Sequence, residues 1–301
     1  MKKIIVPTDF SENAEKAYPI AASLALKYKA SVLLYHISSN HLDLLGTITP
    51  GMIEESVTAQ FLESEQQELA NVNAQLEALK TSSVFSGATI ETEIAELGSS
   101  EPAEKIISFL NKKEHEIIVM GTEGANGFSD SNAETVARHT TIPLITVKDE
   151  VESFNPKKIV WCTDYKTINQ TLCNEVMSLK EKYDSDIDLL FINTPKNFKD
   201  TVYTDREAKR IANRYGLKDV NFVVHNSHDV EKGVFEYVEK VNGEMIVLAT
   251  QGLTGFSLFL YSSFTEDIIN HSTVPVYSFN MKPYVHQTHD HNVAPTFSGV
   301  R

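Results

Sequence analysis

The feature that most constrains this chain is an internal repeat of three landmarks in the same order. Each landmark occurs once in each half: KKIIVPTDF (2–10) and KKIVWCTDY (157–165), IVMGTEGANGF (118–128) and IVLATQGLTGF (246–256), HTTIPLITV (139–147) and HSTVPVYSF (271–279). Matched landmarks at a fixed order indicate duplication of one structural unit. The chain has 301 residues, which is enough for two domains that each bury a core.

The repeat predicts the domain boundaries. We expect a first domain at residues 1–148 and a second at 157–280, joined by a linker at 149–156 and followed by a tail at 281–301. The linker sequence DEVESFNP is polar and ends in proline.

Apolar periodicity within each half alternates between strand and helix. In the first half, strands at 4–7 and 31–37 flank a helix that begins after Ser11, its expected N-cap, and that should kink at Pro19. The later predicted elements of that half are a long helix (52–79), a strand (89–97), a helix (101–111) and a strand (117–120). The second half repeats this order, with its second helix near 205–215. This pattern predicts an α/β fold with two tandem open, mainly parallel five-stranded sheets flanked by helices.

Ligands of open parallel sheets bind at the carboxyl ends of the strands. Both Thr-Asp tips and both glycine loops are predicted at that end. In the second half, Gly252 and Gly255 can adopt positive φ and turn backbone amides toward an anion, and Ser262-Ser263 is expected at the start of the following helix. An ordinary loop with a helix cap has similar spacing, so the glycines alone leave both interpretations open.

These landmarks together resemble the universal stress protein family of adenine-nucleotide-binding α/β domains, which have a HUP or Rossmann-like fold. The resemblance rests on G-x2-G-x9-G-[S/T] after a strand, an apolar-Pro-Thr-Asp first strand and an I-P-V/L final strand, and it covers nearly the whole chain twice. It implies that the Asp tip and the second-strand tip hold adenine and ribose, with phosphates on the glycine loop. The implied ligand is ATP or AMP, with Mg²⁺ if ATP. The implied binding residues are Thr163, Asp164, Ile192, Leu248, Ala249, Gly252, Gly255, Ser262 and Ser263 in the second half, and Asp9, Ile37, Gly121, Gly124 and Ser131 in the first.

The two halves depart from the family pattern unequally. The second keeps the full loop length and has two small replacements, Ala249 for the first glycine and Ser262 for the last. The first keeps Gly121 and Gly124, but only five residues separate Gly124 from Asp130, and this carboxylate would repel a phosphate. We therefore expect the better nucleotide site in the second half.

Several polar residues have simpler explanations than chemistry. Neither half pairs a nucleophile with a base, so no enzyme is expected, although slow ATP hydrolysis or autophosphorylation stays open. Asp9 and Asp164 could cap the next helix. Asp229, after His225 and His228, is expected to be an N-cap and not a metal ligand. The tail histidines are expected to be solvated, so no metal site is predicted.

Composition limits the partners. The formal net charge of −14 argues against nucleic acid and anionic membranes as partners. Cys162 and Cys173 have no CxxC spacing and are expected to be reduced thiols in a cytoplasmic protein. The acidic helix at 52–79 is expected to be solvated, with a partner surface as the alternative.

Two functional hypotheses follow from this sequence. One is a nucleotide-responsive stress regulator with an unknown protein partner, and the other is a nucleotide-free docking module of the same fold; a slow ATPase is a weaker third. The halves are expected to pack about a pseudo-two-fold axis through the final strands at 144–147 and 276–279, because an edge strand must be paired or covered. A homodimer of the whole chain stays open.

Overall fold

A computed structural model describes residues 3–38, 55–98, 100–111, 117–122, 132–166, 168–250 and 258–280. The strands are β1 (Lys3–Pro7), β2 (Ser31–Ser38), β3 (Thr89–Glu96), β4 (Ile117–Gly121), β5 (Leu144–Val147), β6 (Lys158–Cys162), β7 (Asp186–Asn193), β8 (Val220–Asn226), β9 (Met245–Thr250) and β10 (Val276–Asn280). The helices are α1 (Glu12–Glu15), α2 (Tyr18–Tyr28), α3 (Glu55–Lys80), α4 (Pro102–Leu110), α5 (Asn132–His139), α6 (Gln170–Tyr183), α7 (Thr201–Tyr215), α8 (Val230–Val241) and α9 (Leu258–His271). None of these helices is long and apolar enough to cross a membrane.

Each half forms the predicted open parallel sheet. The first half has the strand order β3-β2-β1-β4-β5, and the second half has the matching order β8-β7-β6-β9-β10. Neighbouring strands within each half are parallel. The α/β fold predicted from the alternating apolar periods is therefore confirmed.

The two sheets join through their final strands. β10 pairs antiparallel with β5, with Tyr277 opposite Ile145 and Ser278 opposite Leu144, so the halves form one sheet of ten strands. Tyr277 is 1% exposed, and the Ser278 hydroxyl donates to the Leu144 carbonyl at 3.3 Å. The predicted pseudo-two-fold packing through these strands is confirmed, and each half covers the edge that the other exposes.

Two helical layers cover the sheet and continue across the junction. One layer contains α2, α3, α6 and α7, and its buried side chains form one apolar cluster that spans both halves. The opposite layer contains α4, α5, α8 and α9. In that layer Arg138 of α5 donates from Nε to the carboxylate of Glu266 in α9 at 3.1 Å, and Asn270 donates to the carboxylate of Glu134.

The linker between the halves packs into the first of these layers. Phe154 is 5% exposed and meets the Tyr183 ring edge-on at 5.3 Å. The Ser23 hydroxyl of α2 donates to the Phe154 carbonyl at 2.6 Å. The segment therefore fixes the halves together in addition to connecting them.

Pro19 acts differently from the expected kink within one helix. Ser11 caps α1 through the Ala14 amide, as predicted, but this helix ends at Glu15 and α2 starts at Tyr18. Proline has no N–H, and its ring would clash with the carbonyl of Glu15 in a continuous helix. Pro19 instead lies in the first turn of α2, where its missing N–H has no helical partner to lose.

Two cap residues define helix starts in the second half. Asp229 caps α8 by accepting from the Lys232 amide at 2.8 Å, which confirms the predicted N-cap. The helix expected near 205–215 begins earlier, at Thr201, because Asp200 caps it through the Tyr203 amide at 2.7 Å. Periodicity alone missed that first turn.

A buried polar cluster lies beneath α8 in the second half. Asp188 of β7 is 1% exposed and accepts from Lys158 Nζ at 2.8 Å, Tyr237 Oη at 2.7 Å and Asn221 Nδ2 at 3.0 Å. Burial alone would raise the pKa of this carboxyl, but the three hydrogen bonds and the charge of Lys158 outweigh it, so the pKa is lowered.

We expect Asp188→Ala to destabilise the protein by about 3 kcal/mol, because it leaves Lys158 and Tyr237 without their buried acceptor. Urea denaturation measures this loss. The stabilisation is present above the unfolded pKa of about 3.9 and is lost as the pH falls through the lowered folded value, so the two proteins should converge in acid. Asp186→Ala, an exposed change on the same strand, is the control and should stay within about 0.5 kcal/mol of wild type. An equal loss in both variants would contradict this account.

Candidate functional site

Each half contains a crevice where the direction of strand addition reverses. The chain of the second half runs from β6 outward to β7 and β8, then returns to place β9 on the other side of β6. The chain therefore leaves the carboxyl ends of β6 and β9 in opposite directions, and a crevice lies between the two connections. The same reversal lies between β1 and β4 in the first half. Such reversals are where open α/β sheets bind ligands.

The Thr-Asp-aromatic tips adopt the same turn in both halves. The Thr8 hydroxyl accepts from the Phe10 amide at 3.1 Å, and the Thr163 hydroxyl accepts from the Tyr165 amide at 2.9 Å. Both aromatic residues have positive φ, 62° for Phe10 and 65° for Tyr165. Positive φ is strained for a residue other than glycine, so the contacts around each tip must hold the turn in this conformation.

The two Asp side chains project beside these turns and bind backbone locally. Asp9 Oδ1 accepts from the Ser11 amide at 3.0 Å and from the Ser11 hydroxyl at 2.6 Å. Asp164 Oδ1 accepts from the Lys166 amide at 2.8 Å. Neither is the helix cap that the alternative interpretation proposed, since Ser11 caps α1 and Asn169 caps α6.

An aromatic stack supports each tip from the neighbouring strand. The Phe10 ring stacks on His36 with centroids 4.8 Å apart, and the Tyr165 ring stacks on Phe191 at 4.8 Å. His36 also places Nδ1 2.8 Å from the Thr8 carbonyl. The Asp9 and Asp164 turns are thus built on rigid strands.

The crevices differ above the fourth strand of each half. In the first half, a Cβ added to Gly121 would lie 1.7 Å from the carbonyl oxygen of Asn13 in α1, so the α1 backbone packs directly on the end of β4. The matching position at the end of β9 is Ala249, which does carry a Cβ. The segment that packs over the end of β9 must therefore lie farther from this strand than α1 lies from β4, by at least the width of a methyl group.

In the second half, helix α7 holds the segment that follows β6. The Tyr215 hydroxyl donates to the Ile168 carbonyl at 2.8 Å, and Arg210 Nη2 donates to the Tyr165 carbonyl at 3.2 Å. The segment is tied toward α7, and α6 begins only at Gln170. Sequence reasoning missed Arg210 and Tyr215, although the basic residues of α7 were a signal.

Three predicted ligand contacts are mainly packing residues. Ile192 is 5% exposed and lies against α8, where a Cβ on Gly233 would meet its Cγ2 at 2.7 Å. Leu248 is buried in the same layer, and Ile37 is half-buried in the corresponding layer of the first half.

The phosphate loops are largely outside the described residues. Gly124, Ser131, Gly252 and Gly255 all fall there. Ser262 and Ser263 lie within α9, which begins at Leu258 and not at these serines as expected. The sequence LFLY has no helix breaker, so the helix extends one turn further toward β9. The amides that have no partner within this helix are those of its first turn, residues 258–261.

Both cysteine thiols are free, and burial raises the pKa of Cys162 to about 12 and that of Cys173 to about 11. Within the part of the chain that the structure describes, no group of three His, Cys, Asp or Glu side chains could hold a metal ion.

Comparison with known proteins defines the class of this chain. The model of the universal stress protein family matches it twice, at residues 1–148 and 155–278. The chain belongs to the universal stress protein family and contains two copies of its domain.

Individual relatives agree with this assignment. Universal stress protein Slr1230 of Synechocystis is 20% identical over 297 residues, which cover 93% of this chain and all of that protein. Universal stress protein MJ0531 of Methanocaldococcus jannaschii is 30% identical over 151 residues, covering 49% of this chain and 82% of the relative. A universal stress protein structure from Archaeoglobus fulgidus has the same fold, with a TM-score of 0.65, 16% identity and coverage of 92% and 98% of the two chains.

We expect Gly121→Ala to destabilise the protein by about 1–3 kcal/mol, because the added methyl group must displace the α1 backbone. Chemical denaturation monitored by circular dichroism measures the change. Ala249→Gly is the matched control, since it exchanges the same two residues at the corresponding position. It should cost no more than about 1 kcal/mol. Equal stability of Gly121→Ala and wild type would show that α1 is not held against β4.

Proposed function

We propose that this protein is a stress-response regulator that binds an adenine nucleotide, ATP or AMP, at the crevice between β6 and β9. The observation that carries this proposal is the strand reversal at that crevice. The Asp164 turn lies on one side of the crevice. On the other side, the end of β9 has the methyl group of Ala249 where the end of β4 has a glycine. Family membership supports the same class of ligand.

The described residues fit the sugar end of a nucleotide. An ionised carboxylate offers about four lone-pair positions. Asp164 can therefore accept from ribose hydroxyls while one oxygen keeps its bond from the Lys166 amide. The turn is held by Thr163 and by the Tyr165 stack, so the carboxylate is positioned before a ligand arrives.

The phosphates would lie toward the connection between β9 and α9. The glycines that the family pattern assigns to phosphate, Gly252 and Gly255, are in this connection, and the N-terminus of α9 follows it. Helix N-termini favour anions through their free amides and their dipole. Mg²⁺ would accompany the phosphates if the nucleotide is ATP.

The first half is the weaker candidate on two grounds. In the structure, the Asn13 carbonyl occupies the space beside the end of β4. The sequence adds Asp130 and a shorter loop on the phosphate side. We therefore assign the nucleotide to the second half.

A regulatory signal would leave the site through α9. This helix follows the phosphate loop and contacts α5 of the first half through Glu266 and Asn270. A nucleotide that repositions the start of α9 would therefore bias the surface at the junction between the halves. The proposal includes no catalytic step, and slow ATP hydrolysis would be a side reaction of the bound nucleotide.

We expect Gly252→Val to weaken ATP binding at least about tenfold, or about 1.4 kcal/mol, since a branched side chain disfavours positive φ and fills the space for a phosphate. Gly124→Val is the matched control and should change binding much less. Isothermal titration calorimetry with both variants, after circular dichroism confirms their folding, measures the difference.

Three results of this titration, and one from mass spectrometry with a thermal-shift measurement, would contradict parts of the proposal. Equal loss in both variants, or two wild-type sites of matched affinity, would show that the halves are not unequal. Loss only in Gly124→Val would place the nucleotide in the first half. A protein purified without ligand, by mass spectrometry, and without a thermal shift in millimolar ATP would favour the nucleotide-free docking module.

A further inference from the structure

The ten-stranded sheet ends in two strands whose outer edges differ in charge. β3 and β8 are the ends of the strand order, and no strand of the described residues pairs on their outer sides. An open edge presents unpaired N–H and C=O groups that can pair with another chain, and charged side chains are one way to prevent this. β3 contains Glu91, Glu93 and Glu96, whereas β8, with the sequence VNFVVHN, contains no Asp, Glu, Lys or Arg. The β3 edge is therefore protected by charge, and the β8 edge is not.

The flanking helices leave the β8 edge accessible. Asn221, Val224 and Asn226 are exposed. On one face of the sheet, α8 packs over the neighbouring strand β7. On the other face, α7 is hydrogen-bonded inward, to the segment that follows β6. A strand of another chain can therefore reach this edge.

The backbone groups at the outer edge of β8 are those of its even-numbered residues. The Ser227 amide, just after the strand, donates to the Asn193 carbonyl of β7 at 3.1 Å, so the odd-numbered positions face β7. The N–H and C=O of one residue point to the same side of a strand, and this side alternates along the chain. The outward residues are Val220, Phe222, Val224 and Asn226. Their positions are symmetric about Val223.

We propose that the β8 edge is a docking surface for a second copy of the chain, which adds its own β8 in antiparallel orientation. A two-fold axis perpendicular to the sheet at Val223 pairs outward residues with each other, Val220 with Asn226 and Phe222 with Val224. Each of these pairs exchanges two backbone hydrogen bonds, and the full length of β8 is used. The contact joins two ten-stranded sheets into one. Because each copy has one such edge, the assembly closes as a dimer.

The side chains of β8 are self-complementary in this register. Residues directly opposite each other lie on the same face of the sheet, so Phe222 meets Val224 of the second copy, and Val223 meets its own equivalent. Val224 is 42% exposed, and Phe222 packs, half-buried, against the apolar cluster that spans both halves. Aromatic and β-branched side chains form favourable cross-strand pairs. The contact therefore covers the exposed Val224 side chain with apolar atoms.

The same arrangement at the β3 edge would oppose like charges. The Leu97 amide donates to the Ser38 carbonyl of β2, so the even-numbered residues of β3 face outward. The two antiparallel registers with the greatest overlap then place Glu91 opposite Glu93 of the second copy, or Glu93 opposite its own equivalent. Like charges directly opposite each other destabilise a strand pair. Self-association is therefore expected at β8 and not at β3.

The overall charge of the protein predicts how salt affects the dimer. At a net charge of −14, two copies repel each other at long range. A contact between copies is then most favourable where neither contributes an acidic side chain, and β8 meets that condition. Since this register forms no ion pair, salt screens the general repulsion without weakening the contact. The dimer should therefore become tighter as ionic strength rises.

Sedimentation velocity over a concentration series tests the backbone pairing. The wild-type chain of 33.6 kDa should form a dimer of twice that mass, and more of it at about 500 mM than at about 50 mM NaCl. Val224→Pro removes an outward N–H and should raise the dissociation constant at least about tenfold. Thr92→Pro removes an outward N–H from β3 and is the matched control, which should leave the dimer unchanged. Circular dichroism checks that both variants fold.

Cysteine cross-linking tests the register. At a non-hydrogen-bonded pair such as Val223 with its equivalent, the Cα atoms are about 4.5 Å apart, within the range of about 4.4–6.8 Å that a disulfide spans. Under mild oxidation Val223→Cys should therefore give a covalent dimer on a non-reducing gel. Val224→Cys is the control, since its equivalent lies diagonally across the ladder at about 7–8 Å. It should cross-link at least about tenfold more slowly.

Charge at Val224 tests the contact without any change to the backbone. Val224→Glu places like charges near each other across the two-fold axis and should be mainly monomeric. An equimolar mixture of Val224→Glu with Val224→Lys should recover a dimer, because each contact then has one charge of each sign. Val230→Glu changes another exposed valine, on α8, and should leave the dimer unchanged.

A wild-type chain that stays monomeric up to tens of micromolar in both salt conditions would overturn the proposal. A dimer that survives both Val224→Pro and Val224→Glu, or one that weakens as salt rises, would place the contact elsewhere on the molecule. Equal cross-linking of the two cysteine variants would contradict the register centred on Val223. None of these outcomes depends on nucleotide binding, so the proposed function and this contact can fail separately.

Discussion

The antiparallel pairing of β5 with β10 is the interaction on which the rest of the molecule depends. In an open parallel sheet the last strand presents unpaired N–H and C=O groups, which must be covered for the domain to stay soluble and monomeric. Here each half covers the other, and the fused edges become the centre of a ten-stranded sheet. The continuous apolar layer under α2 and α6, the buried Phe154 and the α5–α9 polar contacts all follow from that pairing.

The same pairing sets the geometry of the candidate site. Because the central strands are fixed on both sides, the β1/β4 and β6/β9 reversals are rigid, and the tip turns are positioned on them by the Thr8 and Thr163 hydroxyls. Differences between the two crevices therefore come from what lies above the sheet. The Asn13 carbonyl lies directly above Gly121 in one half, and in the other half Tyr215 and Arg210 of α7 hydrogen-bond to the segment that follows β6.

Sequence reasoning reached the fold because strand order and pairing follow from repeated apolar patterns and from the need to cover edges. It was less successful at positions where a single side chain determines where a helix begins or ends. Asp200 starts α7 a turn early, and Pro19 separates two helices instead of bending one. For the site, the strand pattern predicted that the Thr-Asp tips lie at the carboxyl ends of β1 and β6, but it did not predict that the Ile192 side chain packs against Gly233. Such contacts join residues far apart in sequence, and no local pattern encodes them.

Fusion of the two copies has a consequence for how the molecule can change. In a symmetric pair of separate subunits, every substitution appears at both sites, so neither site can be altered without the other. In a single chain the two halves can change separately. Gly121 and Ala249, which occupy equivalent positions, are an example of such a difference. In one half α1 could therefore pack directly on the glycine at the end of β4, while the other half has a side chain at the equivalent position of β9. The sheet that both share preserves the common framework, so divergence above it need not disturb the fold.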